Sequence, residues 1–255
     1  MLLDFTKETF DIIVQGGQSN AEGYGVGLVD DPYDPDPNVF YLNSDLIVVP
    51  ATEKVRGNEI QSNFSLSFAR EYIKNGKLAE GRKILIVRAA IAGTGFLDKR
   101  WGMEDDLYLH MIKMIEVALK LNRDNRLIAL LWHQGETDAL YNATFEQHYN
   151  NLMNLLMSVR KQFSKEDLPF IAGDFVQQWK NENIEICTPV VEAIRKVCQD
   201  CRCGAFVESD GLLSNYQEHS STWDHIHFSR KAIYELGKRY FEKFLQCSEY
   251  DCIRS

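Results

Sequence analysis

The chain has no cysteine before position 187, no block of basic residues, and no apolar run long enough to cross a membrane. Each absence excludes something. Its six cysteines, Cys187, Cys198, Cys201, Cys203, Cys247 and Cys252, are unevenly spaced in the C-terminal third. Three of them crowd into CQDCRC, but a structural zinc site needs four ligands, and no second Cys/His pair follows at ligand spacing. Reduced, incidental thiols near a helix end are the better reading. The net charge of −9 comes from acidic and basic residues mixed along the chain, which argues against nucleic acid or an anionic membrane surface as a main partner. The N-terminal MLLDFTKETFDIIVQ lacks a basic n-region, a continuous apolar h-region and a small-residue cleavage site. The expectation is a cytoplasmic protein, or a secreted one if a leader has been removed. Proline is scarce: there are six, and three fall in DDPYDPDPN, residues 30–38, which reads as a surface loop rather than a domain boundary. With no repeat, low-complexity tract or linker, residues 1–255 are expected to form one domain with a substantial core.

What is present is an alternation. Apolar runs rich in β-branched residues at 11–15, 39–42 or 46–49, 83–89, 127–132, 169–173 and 204–207 read as strands. Amphipathic stretches at 64–75, 105–121, 144–163, 189–199 and 229–246 read as helices. In DDLYLHMIKMIEVALKL, the residues Leu107, Met111, Met114, Ile115, Ala118 and Leu119 share one helical face, with Asp105 and Asp106 in the first turn. Mostly continuous apolar strands alternating with helices imply an α/β fold, a parallel sheet covered on both faces.

Ligands of such sheets bind beyond the carboxyl ends of the strands, so the segments that follow the strands carry the functional argument. After the first strand comes GGQSN, with Ser19 supplying a hydroxyl. After the strand at 83–89 comes AIAGTGF. After the strand at 127–132 comes HQGETD, and after that at 169–173 comes DFVQQW. The last helix is entered through STWDHIHFS, residues 221–229. Asp224 and His227 are three apart, which on a helical turn or tight loop lets the carboxylate hold one imidazole nitrogen and leaves the other free as a base for a nucleophile such as Ser19. The competing assignment is that Asp224 caps the last helix and His227 packs at its start. Gly93 and Gly95 permit a close backbone approach, so that an N–H can face a developing oxyanion, or they simply form a strand-end turn. Gln134 offers an amide for the same purpose, or bonds loop backbone. Glu136 and Asp138 read as orienting or solvated carboxylates rather than a glycosidase pair. His225 and His227 alternate and His133 lies in another loop; two histidines with one carboxylate could hold a divalent ion, but no fixed-spacing ligand motif supports it. GYGVG, residues 23–27, is neither GxGxxG nor a Walker A sequence. Neither a metal nor a cofactor is expected.

These blocks resemble an SGNH-type hydrolase, within it the branch of sialate O-acetylesterases and of the acetylxylan esterases of carbohydrate esterase family six. GQSNAEG (17–23) is similar to the nucleophile block and AAIAGTGF (89–96), with Trp101 after it, to the block carrying the oxyanion glycine. WHQGETDA (132–139) is similar to a W-x-Q-G-E block special to this branch, and DHIHFS (224–229) to the terminal D-x-x-H block. NFSLSFAREY (63–72) resembles the helix after the nucleophile, although the glycine-proline often found before it is absent. The resemblance implies a three-layer α/β/α sandwich of the SGNH/flavodoxin-like kind around a roughly five-stranded parallel sheet. It implies Ser19 as nucleophile, His227 as base and Asp224 as its orienting carboxylate. It implies an oxyanion hole from the Ser19 and Gly93 N–H groups plus the Gln134 amide, with Gln18, Asn20 and Glu136 binding substrate or orienting loops. The implied activity is removal of O-linked acetyl from a carbohydrate (an oligosaccharide, a xylan fragment or sialic acid) through an acetyl-enzyme. An acyltransferase, thioesterase or lipid esterase with the same triad, or a retired carbohydrate-binding protein, are the alternatives. The loops at 30–38 and 181–187, expected near the active-site opening, match no family block, so substrate preference cannot be borrowed. Taken together, the loops after the strands are rich in Asp, Asn, Gln and Trp, which suits a sugar better than a long acyl chain.

Overall fold

The computed structural model describes residues 4–219 and 223–252. In chain order the strands are β1 (Thr9–Gly17), β2 (Val39–Leu42), β3 (Val48–Pro50), β4 (Lys54–Arg56), β5 (Glu59–Gln61), β6 (Arg82–Arg88), β7 (Arg126–His133), β8 (Phe170–Gly173) and β9 (Gly204–Val207). The helices are α1 (Ser19–Glu22), α2 (Phe64–Lys74), α3 (Asp106–Lys120), α4 (Glu136–Leu140), α5 (Phe145–Gln162), α6 (Gln177–Glu182), α7 (Ile184–Asp200), α8 (Asn215–Glu218) and α9 (Arg230–Cys252).

Ile12, Ile13 and Val14 of β1 and Ile84 to Val87 of β6 are fully buried, as central strands covered on both faces must be. The main sheet runs β3-β2-β6-β1-β7-β8-β9. The expectation of about five parallel strands is therefore corrected to a seven-stranded mixed sheet. Only residues 43–47 separate β2 from β3, too few for a crossover. The chain turns tightly, with Asn43 N–H donating to the Ile47 carbonyl at 3.1 Å, and β3 returns antiparallel with Phe40 opposite Pro50. A second hairpin, β4–β5, stands apart from the sheet. α7 begins upstream of the expected start at Pro189, which lies inside the helix. Residues 181–187 are accordingly the junction of α6 and α7, not a loop.

From β1 the chain runs out to β2 and β3, through the β4–β5 hairpin and α2 to β6, then back across to β7 through α3. Right-handed crossovers in opposite directions put α2 on one face and α3, α5 and α7 on the other. α9 packs against α2, and α5 against α7. Tyr108 of α3 donates to Ser158 of α5 at 2.7 Å. The reversal of direction at β1, between β6 and β7, leaves a crevice beyond its carboxyl end.

The amino end of the same strand is closed. Asp11, fully buried, accepts from Arg82 Nε at 2.6 Å, from Arg126 Nε at 2.6 Å and Nη2 at 2.9 Å, and from the Tyr72 hydroxyl at 2.8 Å. Burial alone would raise the Asp11 carboxyl, but these donors together hold it below the usual range.

Candidate active site

Gly17 ends β1 with φ +128°, and a Cβ there would lie 2.0 Å from the His133 carbonyl oxygen, so no other residue fits this approach of β1 to β7. The next N–H, of Gln18, donates to that same carbonyl at 2.9 Å. The chain then turns off the sheet, and Ser19 opens α1. Its N–H belongs to the first turn of a helix, where no intrahelical acceptor exists, and it meets none elsewhere among the described residues.

The side chains flanking Ser19 turn inward. Gln18 Oε1 accepts from the N–H groups of Gly135 at 3.3 Å and Thr137 at 3.1 Å, fixing the turn after β7. Asn20 Nδ2 donates to Glu136 Oε1 at 2.7 Å and to the Ile226 carbonyl at 3.0 Å, while its Oδ1 accepts from Phe228 N–H at 3.1 Å. Asn20 thus grips the backbone on both sides of His227. Glu22 accepts from Ala92 N–H at 2.8 Å and so ties in the loop after β6. Gln18, Ser19 and Asn20 are all buried. The short stretch after β1 is a hub that fastens three other segments around one hydroxyl.

His227 Nδ1 lies 2.9 Å from both carboxylate oxygens of Asp224, and His227 N–H donates to Asp224 Oδ1 at 3.2 Å. The pair sits in a tight loop, not a helical turn. Ser229, not Asp224, caps α9, its hydroxyl accepting from Ala232 N–H at 3.1 Å. Burial would raise the Asp224 carboxyl, but hydrogen bonds from His227 and Asn215 and the charge interaction with the His227 ring hold it below the usual range. No described residue bonds His227 Nε2 or the Ser19 hydroxyl, so both groups are left for a substrate. Tyr24 stacks on the imidazole with centroids 4.9 Å apart. Ser221 and Thr222, the start of the STWDHIHFS block, lie outside the described residues.

Asn215 was not singled out from sequence, yet its amide organises this loop. Nδ2 donates to Asp224 Oδ2 at 2.8 Å and to the Tyr24 carbonyl at 3.0 Å, and Oδ1 accepts from Val26 N–H at 3.0 Å. The signal available was its neighbour: Ser214 and Gln217 form a capping box that starts α8.

Gly93 sits at an exposed turn with φ +69°, and its N–H has no acceptor among the described residues. The rest of that loop is nailed down by Asp138, which is fully buried and accepts from Phe96 N–H at 2.9 Å, Leu97 N–H at 2.8 Å and Gln134 Nε2 at 2.8 Å. A Cβ at Gly95 would lie 2.7 Å from Asp138 Oδ1, so that glycine makes room for the carboxylate. Gln134 departs from the expected arrangement. It is 0% exposed, its Nε2 held by Asp138 and lying 3.4 Å from the Thr94 carbonyl. A charged acceptor in a buried site outcompetes weaker partners, and here it engages the amide nitrogen. In this arrangement Gln134 presents no N–H to an oxyanion at Ser19.

Glu136 is fully buried, with Oε1 bonded to Asn20 and Oε2 unpartnered. Burial pushes its carboxyl above the usual range. His133 lies 4.0 Å away, bonded through Nδ1 to the Tyr240 hydroxyl at 3.0 Å, and burial lowers its imidazole to about 3. Glu136 and Asp138 therefore each serve a different loop. Among the described residues no three His, Cys, Asp or Glu side chains are grouped to hold a metal ion. Cys198 and Cys247 are buried and Cys201 and Cys203 half-buried around the end of α7 and the start of β9. Burial pushes the Cys247 thiol up to about 12, which makes it a poor nucleophile.

Residues 9–246 match the family model described as "Carbohydrate esterase, sialic acid-specific acetylesterase". The chain belongs to this family. It is a serine-type carbohydrate esterase, a carboxylic ester hydrolase acting on sugar acetyl esters, within the SGNH-like superfamily. It is 30% identical over 88 residues to the "Probable 9-O-acetyl-N-acetylneuraminic acid deacetylase" of Escherichia coli (strain K12), a stretch that spans 32% of this chain and 27% of that protein. It is 27% identical over 226 residues to the "Probable carbohydrate esterase At4g34215" of Arabidopsis thaliana, covering 79% of this chain and 82% of the relative. The crystal structure of NanS shares the fold, with a TM-score of 0.81 at 18% identity over 96% of this chain and 99% of that one.

Proposed function

We propose that Ser19 is the nucleophile of this carbohydrate esterase, His227 its general base and Asp224 the carboxylate that orients the imidazole. The observation that supports the assignment is the grip of Asn20, next to Ser19, on residues 226 and 228 either side of His227, while Asp224 occupies Nδ1 and leaves Nε2 without a partner among the described residues. In the first step Ser19 Oγ attacks the acetyl carbonyl and its proton passes to His227 Nε2. The bond from the carbonyl carbon to the sugar oxygen breaks, and His227 returns the proton to that oxygen. Water then attacks the acetyl-enzyme, giving its proton to His227. Acetate leaves as Ser19 regains a proton. The oxyanion faces the N–H groups of Ser19 and Gly93, both without protein acceptors.

The substrate is a small O-acetylated carbohydrate: an oligosaccharide, a xylan fragment or a sialic acid. The name of the Escherichia coli relative supports the last of these. The test compares p-nitrophenyl acetate, butyrate and octanoate with wild type and Ser19→Ala. Acetate turnover that is preferred over the longer esters and lost in a folded Ser19→Ala supports the reading. Turnover that survives without Ser19, or that peaks on octanoate, sinks it.

A further inference from the structure

Trp223 is 86% exposed, whereas Trp101 and Trp132 are 0% and Trp179 is 7% exposed. A large aromatic side chain held in water is unusual, and this one is braced rather than loose. Its ring stacks on Tyr216, centroids 5.6 Å apart at 16°, and Tyr216 in turn lies 4.4 Å from the His225 ring. His225 Nδ1 is held by Glu182 Oε2 at 2.9 Å. The platform is built into the catalytic loop. Trp223 immediately precedes Asp224, Tyr216 follows the Asn215 that holds Asp224, and Tyr216 N–H donates to the Asp224 carbonyl at 3.0 Å. Glu182 ends α6, the helix that follows β8, so the group stands at the carboxyl end of the sheet, the same end as Ser19. Trp223 lies four positions before His227, a reach of at most about 14 Å, which is the span of two or three sugar rings.

We propose that Trp223, stacked on Tyr216 and flanked by His225 and Glu182, is a sugar-binding subsite that seats a ring of the acetylated carbohydrate while its ester lies at Ser19. The flat indole meets the apolar C–H face of a pyranose, and the half-exposed Glu182 carboxylate, held in place by His225, accepts from its hydroxyls. The inference rests on the assignment of Ser19 and on a carbohydrate substrate.

The test uses whichever of an O-acetylated xylo-oligosaccharide or a 9-O-acetyl sialic acid the wild-type enzyme turns over faster. KM for that sugar is expected to rise on the order of tenfold in Trp223→Ala, with most of the loss restored in Trp223→Tyr and kcat changed far less. Titrating the same sugar into Ser19→Ala, which binds without turnover, is expected to quench and blue-shift tryptophan emission, because the other three tryptophans are buried. An unchanged KM and an unresponsive emission spectrum would overturn the subsite. So would an equal loss of kcat on ethyl acetate, which has no ring to seat, since Trp223 would then act only through Asp224. A change of oligomeric state in Trp223→Ala without a change in KM would assign the platform to a second copy of the chain instead. If wild type turns over neither sugar, the carbohydrate assignment itself fails, and that outcome is separable from all of these.

Discussion

The two ends of β1 treat buried charge in opposite ways. At the amino end Asp11 meets two guanidinium groups and a tyrosine hydroxyl, and every oxygen is satisfied. At the carboxyl end Glu136 and Asp138 have no guanidinium or ammonium partner. They bond to backbone N–H groups and side-chain amides, with His148 Nδ1 3.3 Å from Asp138, and among the described residues Glu136 Oε2, His133 Nε2 and Gln134 Oε1 are left without partners. A closed ion cluster fastens strands together. A network of amides, backbone N–H groups and imidazoles fixes loop geometry, and unsatisfied buried groups are characteristic of functional sites. One end of the strand holds the fold and the other aims the chemistry.

Asn20→Ala is the substitution that should separate the ends most clearly. It frees the backbone beside His227 and strands a Glu136 oxygen, and a misplaced catalytic group costs on the order of 100-fold in kcat. Near-normal kcat in a folded Asn20→Ala would show that the grip on residues 226 and 228 is not what positions the base. Gln134→Ala is expected to lower kcat only about tenfold, the scale of one lost hydrogen bond in the Asp138 network. A loss of about 10²–10³ would identify it as a direct oxyanion donor after all, its amide swinging from Thr94 when substrate binds. Asp11→Asn, at the other end, should leave kcat within about twofold while lowering unfolding stability by about 2–3 kcal/mol. The lower part of the range for a broken buried pair applies because Arg126 is half exposed. Chemical denaturation with parallel assays reads both.

The smallest effect is in pH. Because the folded carboxyl of Asp11 lies below its unfolded value of about 3.9, its contribution is fully present above that value. It disappears as pH falls through the lower, folded value. Wild type should therefore lose stability below about pH 4 more steeply than Asp11→Asn. Equal slopes would mean that the cluster does not hold the carboxylate ionised.

Much of this was legible in the sequence, for local reasons. Gly16-Gly17 after an apolar run announced a strand ending at a sharp turn, and the D-x-x-H spacing announced a carboxylate within reach of an imidazole. The central strands were readable because burial on both faces makes them continuously apolar. The antiparallel β3 was legible only as an alternative, 46–49, to the strand at 39–42, since two half-exposed valines and an exposed proline carry little pattern. Asn215 was invisible because its partners at positions 24, 26 and 224 are distant in sequence and meet only when the loops assemble. The resemblance suggested Gln134 as an oxyanion donor. Its commitment to Asp138 depends on burial of a carboxylate four residues further on, which spacing alone does not disclose.

The central claim is that Ser19 carries the acetyl group. The most direct measurement is peptide mapping by mass spectrometry after reaction with a serine-reactive phosphonate. The account predicts one adduct, on the peptide bearing Ser19, appearing in step with the loss of esterase activity and absent from Ser19→Ala. An adduct on another serine, or full inactivation with Ser19 unmodified, would contradict it.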